Sequence, residues 1–397
     1  METYFLDWLE LVLRWLHVIT GIAWIGASFY FVWLDNSLEE PPRWKIDSGV
    51  KGELWAVHGG GIYEVGKYRL GPAKLPETLH WFKWEAYSTW LSGMVLMVLI
   101  FYVGADTYLI DPRIAELSRI EAIILGISFV VGGWLIYELL CSTAIVTNGP
   151  AIALCLIFSA AVASWALTSL FSGRGAFIHL GAMIGTIMAG NVFRVIIPSQ
   201  RALVAAIEAG EELDPAWGAK AKLRSTHNNY FTLPILFIMI SNHYPMTYAH
   251  THNWLILLAL IVISAYARHF FNLRHRGIFR PSILVTSVIA TSALAWVLMP
   301  VRAITETEPA NSISDMEVTA LISEHCVACH AAQPSHPAFT SAPGGIALET
   351  IAQIKRWSTQ IKAAAVDTED MPMVNSTNMT AEERQALGQW IEKTAKR

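Results

Sequence analysis

The sequence has little charge. Asp, Glu, Lys and Arg make up only 15% of the 397 residues, whereas hydrophobic residues make up 54%, and 16 residues are tryptophan. This composition is typical of a chain that lies mostly in a lipid bilayer. The chain also lacks a basic start and a small-residue cleavage site after its first apolar run. We therefore expect that run to be a membrane span rather than a signal peptide.

Eight apolar stretches have the length or composition of membrane spans, although the sixth is short. They cover about residues 8–34, 84–103, 120–140, 150–171, 177–197, 230–244, 253–271 and 281–300. Eight spans place both termini on the same side of the membrane. With the termini outside, the inner loops hold 14 Lys and Arg residues and the outer loops hold three. Because cytoplasmic loops are rich in Lys and Arg, we expect both termini outside the cytoplasm.

Only four cysteines are present, and two of them lie in the segment Cys326-Val327-Ala328-Cys329-His330. This C-x-x-C-H spacing is the attachment signature of a c-type haem: two thioethers hold the porphyrin, and His330 supplies an axial nitrogen to the iron. A structural zinc site would need four ligands, and no second cysteine pair or His pair at finger spacing follows. Haem c implies a domain that transfers single electrons outside the cytoplasm.

The second axial ligand of the haem is expected on a loop before the last helix. Thr380 and Glu383 form the pattern of a capping box, which predicts an amphipathic helix starting at the next residue. Met371 lies nine residues before this cap and is our first choice of ligand, with Met379 second and Met373 third. Met379 directly precedes the cap, a position that favours a hydrophobic staple.

The sequence therefore predicts an all-α protein in two parts. Residues 1–300 form an eight-span transmembrane helix bundle, 301–315 a polar linker, and 316–397 a small cytochrome c domain that resembles class I cytochromes. The haem supplies much of the core that so short a domain lacks.

Three histidines are predicted in or beside spans near the outer face: His17, His179 and His243. Ionisable residues inside a membrane are costly, so each is a candidate functional residue. Two interpretations stay open. Each histidine bonds a neighbouring carbonyl, or two of them bind a b-type haem or another metal in the bundle.

Another polar group is predicted at the inner face, where the loop over 35–83 is too long for a simple connector. A Gly triplet separates His58 from Tyr63. Aromatic faces, charged groups and glycines suit a planar, anionic ligand that forms hydrogen bonds. The further candidates in or beside this loop are Lys67, His80, Trp81, Trp84, Glu85 and Tyr87. Other inner-face residues include Asp35, Glu138, Arg194, His227, Arg268 and His269. We interpret Arg268, with the nearby arginines 274, 276 and 280, mainly as an orientation charge without chemistry.

Four motifs resemble the bacterial membrane-bound urate oxidase family. They are His-Gly-Gly-Gly-x-Tyr at 58–63, Leu-His-Trp-Phe-Lys-Trp-Glu-Ala-Tyr-Ser-Thr-Trp at 79–90, Thr-His-Asn-Asn-Tyr-Phe-Thr-Leu-Pro at 226–234 and Ser-Asn-His-Tyr-Pro at 241–245. Proteins of that family are similar in plan, with eight spans fused to a cytochrome c domain. The resemblance implies a bacterial inner-membrane enzyme that oxidises urate to 5-hydroxyisourate in purine breakdown and passes electrons through haem c to the respiratory chain.

On this interpretation, a histidine removes a urate proton, and His58, His80 and His227 are the candidates, with Glu85 orienting the base. The expected urate-binding residues are Tyr63, Lys67, Trp81, Trp84, Tyr87, Asn228 and Asn229. The expected partners are urate, the lipid bilayer and a downstream cytochrome c or terminal oxidase. Nucleic acid is not among them, and a homo-oligomer stays open.

Two other classes of protein are alternatives to a urate oxidase. One is a respiratory electron-transfer subunit that takes electrons from a quinol or a dehydrogenase and has no small-molecule site of its own. The long aromatic inner loop argues against it. The other is a transporter, but the sequence lacks a matched pair of Gly/Pro-interrupted half-helices.

Overall fold

The computed structural model describes residues 2–299 and 313–394, and both parts are mostly helical. The helices of the first part are α1 (Glu2–Asn36), α2 (Arg43–Asp47), α3 (Trp84–Met97), α4 (Ala105–Tyr108), α5 (Arg119–Ser142), α6 (Gly149–Thr168), α7 (Gly173–Asn191), α8 (Ile197–Ala209), α9 (Pro215–Ser241), α10 (Pro245–Tyr248), α11 (Asn253–His275) and α12 (Ser282–Val297). Two π-helical stretches, Val98–Val103 and Val192–Ile196, extend α3 and join α7 to α8.

Six stretches of helix are long and apolar enough to cross a membrane, judged by length and composition over the described residues. They are Tyr4–Asn36, Trp84–Val103, Arg119–Ser142, Gly149–Thr168, Gly173–Ala209 and Asn253–Arg274. The other two predicted spans fall in α9, whose first half is polar, and in α12, a shorter apolar helix of 16 residues. Large apolar side chains cover the outside of the bundle, among them Phe158 (71% exposed) and Trp296 (74% exposed). Such a surface suits contact with lipid.

Helix α7 lies at the centre of the bundle and packs against α3, α5, α6 and α9. Glycines on α5 and α7 allow the helices to approach closely. A Cβ atom added at Gly133 would lie 2.1 Å from the Met183 sulfur, and one added at Gly190 would lie 2.6 Å from Trp134 Nε1. The long side chains of one helix therefore fill the space left by glycines on the other, which is a common way to pack helices in membranes.

The inner loop forms a β-hairpin, so the prediction of an all-α fold is wrong over this segment. Strand β1 (Val50–His58) pairs antiparallel with β2 (Gly61–Tyr68), and His58 lies opposite Gly61. Gly59 and Gly60 form the two-residue turn, with φ values of 57° and 81°. Both values lie in the left-handed region, which favours glycine. The ion pair of Lys67 with Asp35 ties the hairpin to the end of α1.

The C-terminal part is a small helical domain built from α13 (Asp315–His325), α14 (Ile351–Arg356), α15 (Ser358–Ile361) and α16 (Ala381–Thr394). Its core includes the fully buried side chains of Val318, Ile322, Ile354 and Leu387. Ser314 caps α13, so this helix begins within the predicted linker, most of which lies outside the described residues. The predicted capping box of the last helix is confirmed: the Thr380 amide donates to Glu383 at 2.7 Å, and the Glu383 amide donates to Thr380 Oγ1 at 3.2 Å.

The C-terminal domain contacts the bundle at one end, which we call the outer end. The contacts involve the start of α1 and the connections before α5, before α7 and before α11. These connections are the loops that the Lys and Arg count assigned to the outside. We call the opposite end, where α1, α5, α7 and α11 finish, the inner end.

Candidate functional site

Helix α9 places four consecutive polar side chains in the inner half of the bundle. Successive residues of a helix point about 100° apart, so residues 227–230 reach different neighbouring helices. His227 Nδ1 lies 2.8 Å from the Tyr137 hydroxyl on α5, and Asn228 donates to the Met188 carbonyl of α7 at 3.0 Å. Residues that the sequence places side by side therefore serve different parts of the site.

Asn191 on α7 joins these groups into one buried network. Arg224 donates to Asn191 Oδ1 at 3.1 Å, and Asn191 Nδ2 donates to the Tyr137 oxygen at 2.9 Å and to Asn228 Oδ1 at 2.8 Å. Because arginine can only donate, the amide orientation of Asn191 is fixed. The Tyr137 proton is then left to point at His227 Nδ1. The network therefore offers His227 a partner with which it can exchange a proton.

The same network reaches the inner surface through an ion pair. Arg224 donates to both carboxylate oxygens of Glu138, at 3.1 and 3.0 Å, and its guanidinium lies 5.0 Å from the centre of the Tyr137 ring. The Arg224 side chain is 6% exposed, whereas that of Glu138 is 25% exposed. Hydrogen bonds thus connect the buried histidine to a carboxylate near solvent.

Asn229 and Tyr230 face α11 instead. Arg268 Nε donates to Asn229 Oδ1 at 3.0 Å, and the Tyr230 hydroxyl lies 2.7 Å from His269 Nδ1. Arg268 is only 4% exposed, and its guanidinium carbon lies 3.9 Å from the centre of the Phe29 ring. Arg268 is therefore buried among side chains of α1 and α9, whereas an orientation charge normally lies in water or among lipid head groups.

The structure does not gather the loop candidates around this network. His58 and Tyr63 are exposed on the hairpin, and the glycines between them form its turn instead of a ligand cradle. Lys67 is engaged by Asp35. His80 is exposed, and its ring contacts Phe82 at 4.7 Å between ring centres. Their assignment to the urate site stays a prediction, without support from this arrangement.

The start of α3 lies nearer to the network. Trp81 and Tyr87 pack against a cluster of Ala86, Val192 and Ile197, and Val192 directly follows Asn191 along the chain. Tyr87 also contacts Phe193 (6.0 Å between ring centres) and Trp84 (5.9 Å), although Trp84 is 66% exposed. The buried Oε2 atom of Glu85 has no hydrogen-bond partner among the described residues. A π-helical stretch such as Val192–Ile196 is frequent at functional sites.

The three predicted outer histidines have separate surroundings. His17 Nδ1 lies 3.1 Å from both the Thr89 carbonyl and the Ser92 hydroxyl, while His243 is exposed. His179 is fully buried, and a Cβ atom added at Gly126 would lie 2.5 Å from its Nε2. Helix α5 thus occupies the space that a porphyrin at Nε2 would need. This conformation does not fit a b-type haem at His179.

The C-x-x-C-H segment forms a tight turn directly after α13. The amides of Cys329 and His330 both donate to the Cys326 carbonyl, at 3.2 and 2.8 Å, which keeps both sulfurs and the imidazole close along the chain. His330 Nδ1 donates to the Ile346 carbonyl at 2.9 Å, leaving Nε2 for iron. A second hydrogen bond of this kind commonly orients a metal-binding histidine. Burial raises the pKa of the Cys326 thiol to about 12. The residues fit a covalently attached haem.

The methionine loop is anchored by Arg384, a residue that the sequence interpretation missed. Arg384 is 5% exposed and donates to the carbonyl of Met371 at 2.7 Å, to the carbonyl of Ala365 and to Asn375 Oδ1 at 3.0 Å. Burial lowers the pKa of Arg384. Met379 is buried in the domain core, as a staple requires, while Met371 is half-buried at its edge. Met373 begins a short turn and lines the cleft towards the bundle.

One acidic residue beside this loop joins the two parts of the chain. Arg174 Nη2 donates to Asp370 Oδ2 at 3.0 Å, and the Tyr248 hydroxyl donates to the same oxygen at 3.2 Å. Arg174 Nε also donates to the Tyr248 hydroxyl at 2.7 Å. Burial raises the pKa of Tyr248, which keeps it a neutral donor. The contact lies at the mouth of a cleft of about 770 Å³ between the parts. Asp370 directly precedes Met371, so the contact holds the loop of the predicted axial ligand against the outer end.

Residues 3–299 match the family model described as urate oxidase N-terminal. The chain belongs to this family. It is thus a urate oxidase-related protein, with an oxidoreductase-related role in general. Neither the curated proteins nor the solved structures contain a significant match.

Three residues of the family domain were missed by the sequence interpretation: Tyr137, Asn191 and Arg224. A signal for Asn191 was present, because it is a lone amide in the apolar run over 177–197. A buried amide in a membrane helix needs partners on neighbouring helices. The partners themselves come from distant parts of the chain, so local sequence patterns could not identify them.

Proposed function

We propose that the protein is a membrane-bound urate oxidase that converts urate to 5-hydroxyisourate and releases the electrons through haem c. The observation that carries the proposal is the family match over residues 3–299. The apolar helices support a location in the membrane. The buried polar network on α9 supports a site for the chemistry. The turn that presents His330 supports haem c as the electron exit. A downstream cytochrome c or terminal oxidase would accept the electrons.

The reaction balances without molecular oxygen. Urate and one water give 5-hydroxyisourate, two protons and two electrons, because water supplies the hydroxyl that is added to the ring. When bound, haem c supplies a carrier that accepts one electron at a time. The protein must therefore remove protons from the reacting ring and deliver electrons towards its outer end.

The α9 network supplies a candidate base, His227, and holds it in place. His227 exchanges a proton with the Tyr137 hydroxyl at Nδ1, and Asn191 holds that hydroxyl in position. Arg224 links the network to Glu138, whose carboxylate is near solvent at the inner end. A general base must lie within hydrogen-bond reach of the substrate proton that it removes, and the bond to Tyr137 fixes the orientation of the His227 ring for that role. Of the three candidate bases, His227 alone is buried in such a network.

The source of the added oxygen tests this proposal. Purified protein in lipid discs is incubated with urate and an artificial electron acceptor, without oxygen, in water labelled with heavy oxygen. We expect urate to be consumed, and the label to appear in 5-hydroxyisourate, without hydrogen peroxide. A strict requirement for oxygen, or formation of peroxide, would contradict the proposal. Absence of any urate consumption would favour the electron-transfer subunit.

A further inference from the structure

Two buried hydrogen-bond donors near the inner end lack partners among the described residues. They are Nη2 of Arg268 and Nδ2 of Asn229, whose residues are 4% and 2% exposed. The two side chains are joined by the bond from Arg268 Nε to Asn229 Oδ1. No carboxylate pairs with Arg268 in the described parts of the chain. A buried cation without a partner is costly, so the pair is better suited to binding an acceptor from outside the chain.

A cavity of about 480 Å³ lies beside Arg268. It is lined by Phe29, Tyr30, Trp33, Leu233, Arg268 and Phe271. Four of the six are aromatic, and Arg268 supplies the charge. Binding sites for small molecules commonly have this size and composition, with apolar walls and a few polar groups that fix the orientation of the ligand. Flat aromatic walls favour a flat ligand.

Residues of three helices, α1, α9 and α11, line the cavity. Leu233 lies one turn after Asn229 on α9, and Phe271 lies one turn after Arg268 on α11, so each donor has an apolar neighbour on the same face. Phe29 and Trp33 lie one turn apart near the inner end of α1. Asn229 directly follows Asn228, a member of the His227 network, but its side chain faces α11 whereas Asn228 faces α7.

We propose that Arg268, held in place by Asn229, binds an oxygen of a planar conjugated ligand whose ring lies against Phe29, Trp33 and Phe271. This inference rests on the proposed function, in which the ligand is the urate anion. The guanidinium donates to a ring oxygen and neutralises its charge, while Asn229 Oδ1 accepts from Arg268 Nε and fixes the position of the guanidinium. A quinone head group shares this chemistry, and the experiment separates the two sources.

Binding is measured without turnover, using the full-length protein in lipid discs after chemical reduction of the haem. Equilibrium dialysis gives the Kd of urate and, separately, of a short-chain quinone. Arg268→Gln should weaken binding of the ligand roughly ten- to a hundredfold, because it removes a charged hydrogen bond. Arg274→Gln is the matched control: it removes an exposed arginine of the same helix and should leave both Kd values unchanged.

A second variant separates ligand binding from a structural role. Asn229→Asp places a carboxylate beside Arg268 and should pair with the guanidinium. We expect the variant to unfold at a higher temperature than the wild type and to bind an anion less tightly. If Arg268 served only to hold α9 against α11, this substitution would leave the Kd unchanged. Thermal unfolding followed by far-ultraviolet circular dichroism, which is dominated by the helices of the bundle, shows whether each variant is folded.

The possible outcomes distinguish this inference from the proposed function. Weaker urate binding in Arg268→Gln supports the site, even if the wild type fails to oxidise urate. Loss of quinone binding with unchanged urate binding supports the site and assigns it to quinone. Wild-type binding of both ligands by Arg268→Gln, in a protein that still oxidises urate, overturns the site while the proposed function stands.

Discussion

The inner half of the bundle and its outer end use charged residues differently. At the inner half, Arg224 and Arg268 are buried and bond side chains of neighbouring helices. At the outer end, Arg174 is 25% exposed and joins the bundle to Asp370 of another domain. Loss of a buried hydrogen bond at the inner half costs more free energy of unfolding, whereas solvent weakens the ion pair at the outer end. We therefore expect inner substitutions to affect chemistry and outer ones to affect electron exit.

The largest effect is expected from loss of the haem attachment. Cys326→Ala or Cys329→Ala should abolish covalent haem and multiple turnover with the natural acceptor. Urate binding should persist, because the predicted site lies at the opposite end of the bundle. Covalent haem is measured after denaturation, and urate binding by equilibrium dialysis. Loss of urate binding in a folded variant would show that the two ends do not act separately.

The next largest effect is expected at His227. His227→Gln keeps a polar group beside Tyr137 but cannot carry the proton, so turnover should fall about 10²- to 10⁴-fold. The Kd of urate should change little. His243→Gln, at an exposed histidine, is the matched control and should behave as the wild type. Equal turnover in the two variants would remove His227 from the chemistry.

A smaller effect is expected from loss of the axial methionine of the haem, and it distinguishes between the candidate ligands. Met371→Ala should leave the haem attached and lower its reduction potential, because the iron loses a thioether ligand. Met379→Ala should instead destabilise the domain by about 2–5 kcal/mol, since it removes a buried core side chain, and should leave the potential near its original value. Redox titration and thermal unfolding measure both quantities. A lowered potential in Met379→Ala alone would reverse the assignment.

The smallest effect is expected at the contact between the domains. Asp370→Asn removes one charge from a partly exposed ion pair, so haem reduction by urate should slow only a few-fold, and less at high salt. Glu382→Gln, at an exposed acid of the same domain, is the control. Stopped-flow absorbance gives the rate of haem reduction. An effect as large as that of His227→Gln would mean that docking, not chemistry, limits the reaction.

Sequence patterns predicted the local features well. The capping box at Thr380 and several helix positions are confirmed, because both depend on residues close together in the chain. The β-hairpin was missed although its signals were present: two short strands around a Gly-Gly turn. Gly59 and Gly60 form the turn of this hairpin, whereas the sequence analysis interprets them as part of a ligand site.

The candidate site could be predicted only in part. Residues 227–229 were singled out from the sequence, and the structure buries all three. Their partners Tyr137, Asn191 and Arg268 lie 37 to 90 positions away, and their meeting depends on how the helices pack. Arg268 shows the limit most clearly, since its position at the inner end of a predicted span cannot reveal that an aromatic ring of α1 covers its guanidinium.

The central claim is that urate supplies the electrons that reach haem c. It is tested by anaerobic mixing of the intact, oxidised protein with urate while the haem absorbance is recorded. We predict that urate reduces haem c in the wild type, with half an equivalent sufficient because each urate gives two electrons. His227→Gln should remain oxidised until dithionite is added. If urate leaves the wild-type haem oxidised while a quinol reduces it, the protein is an electron-transfer subunit and the claim is contradicted.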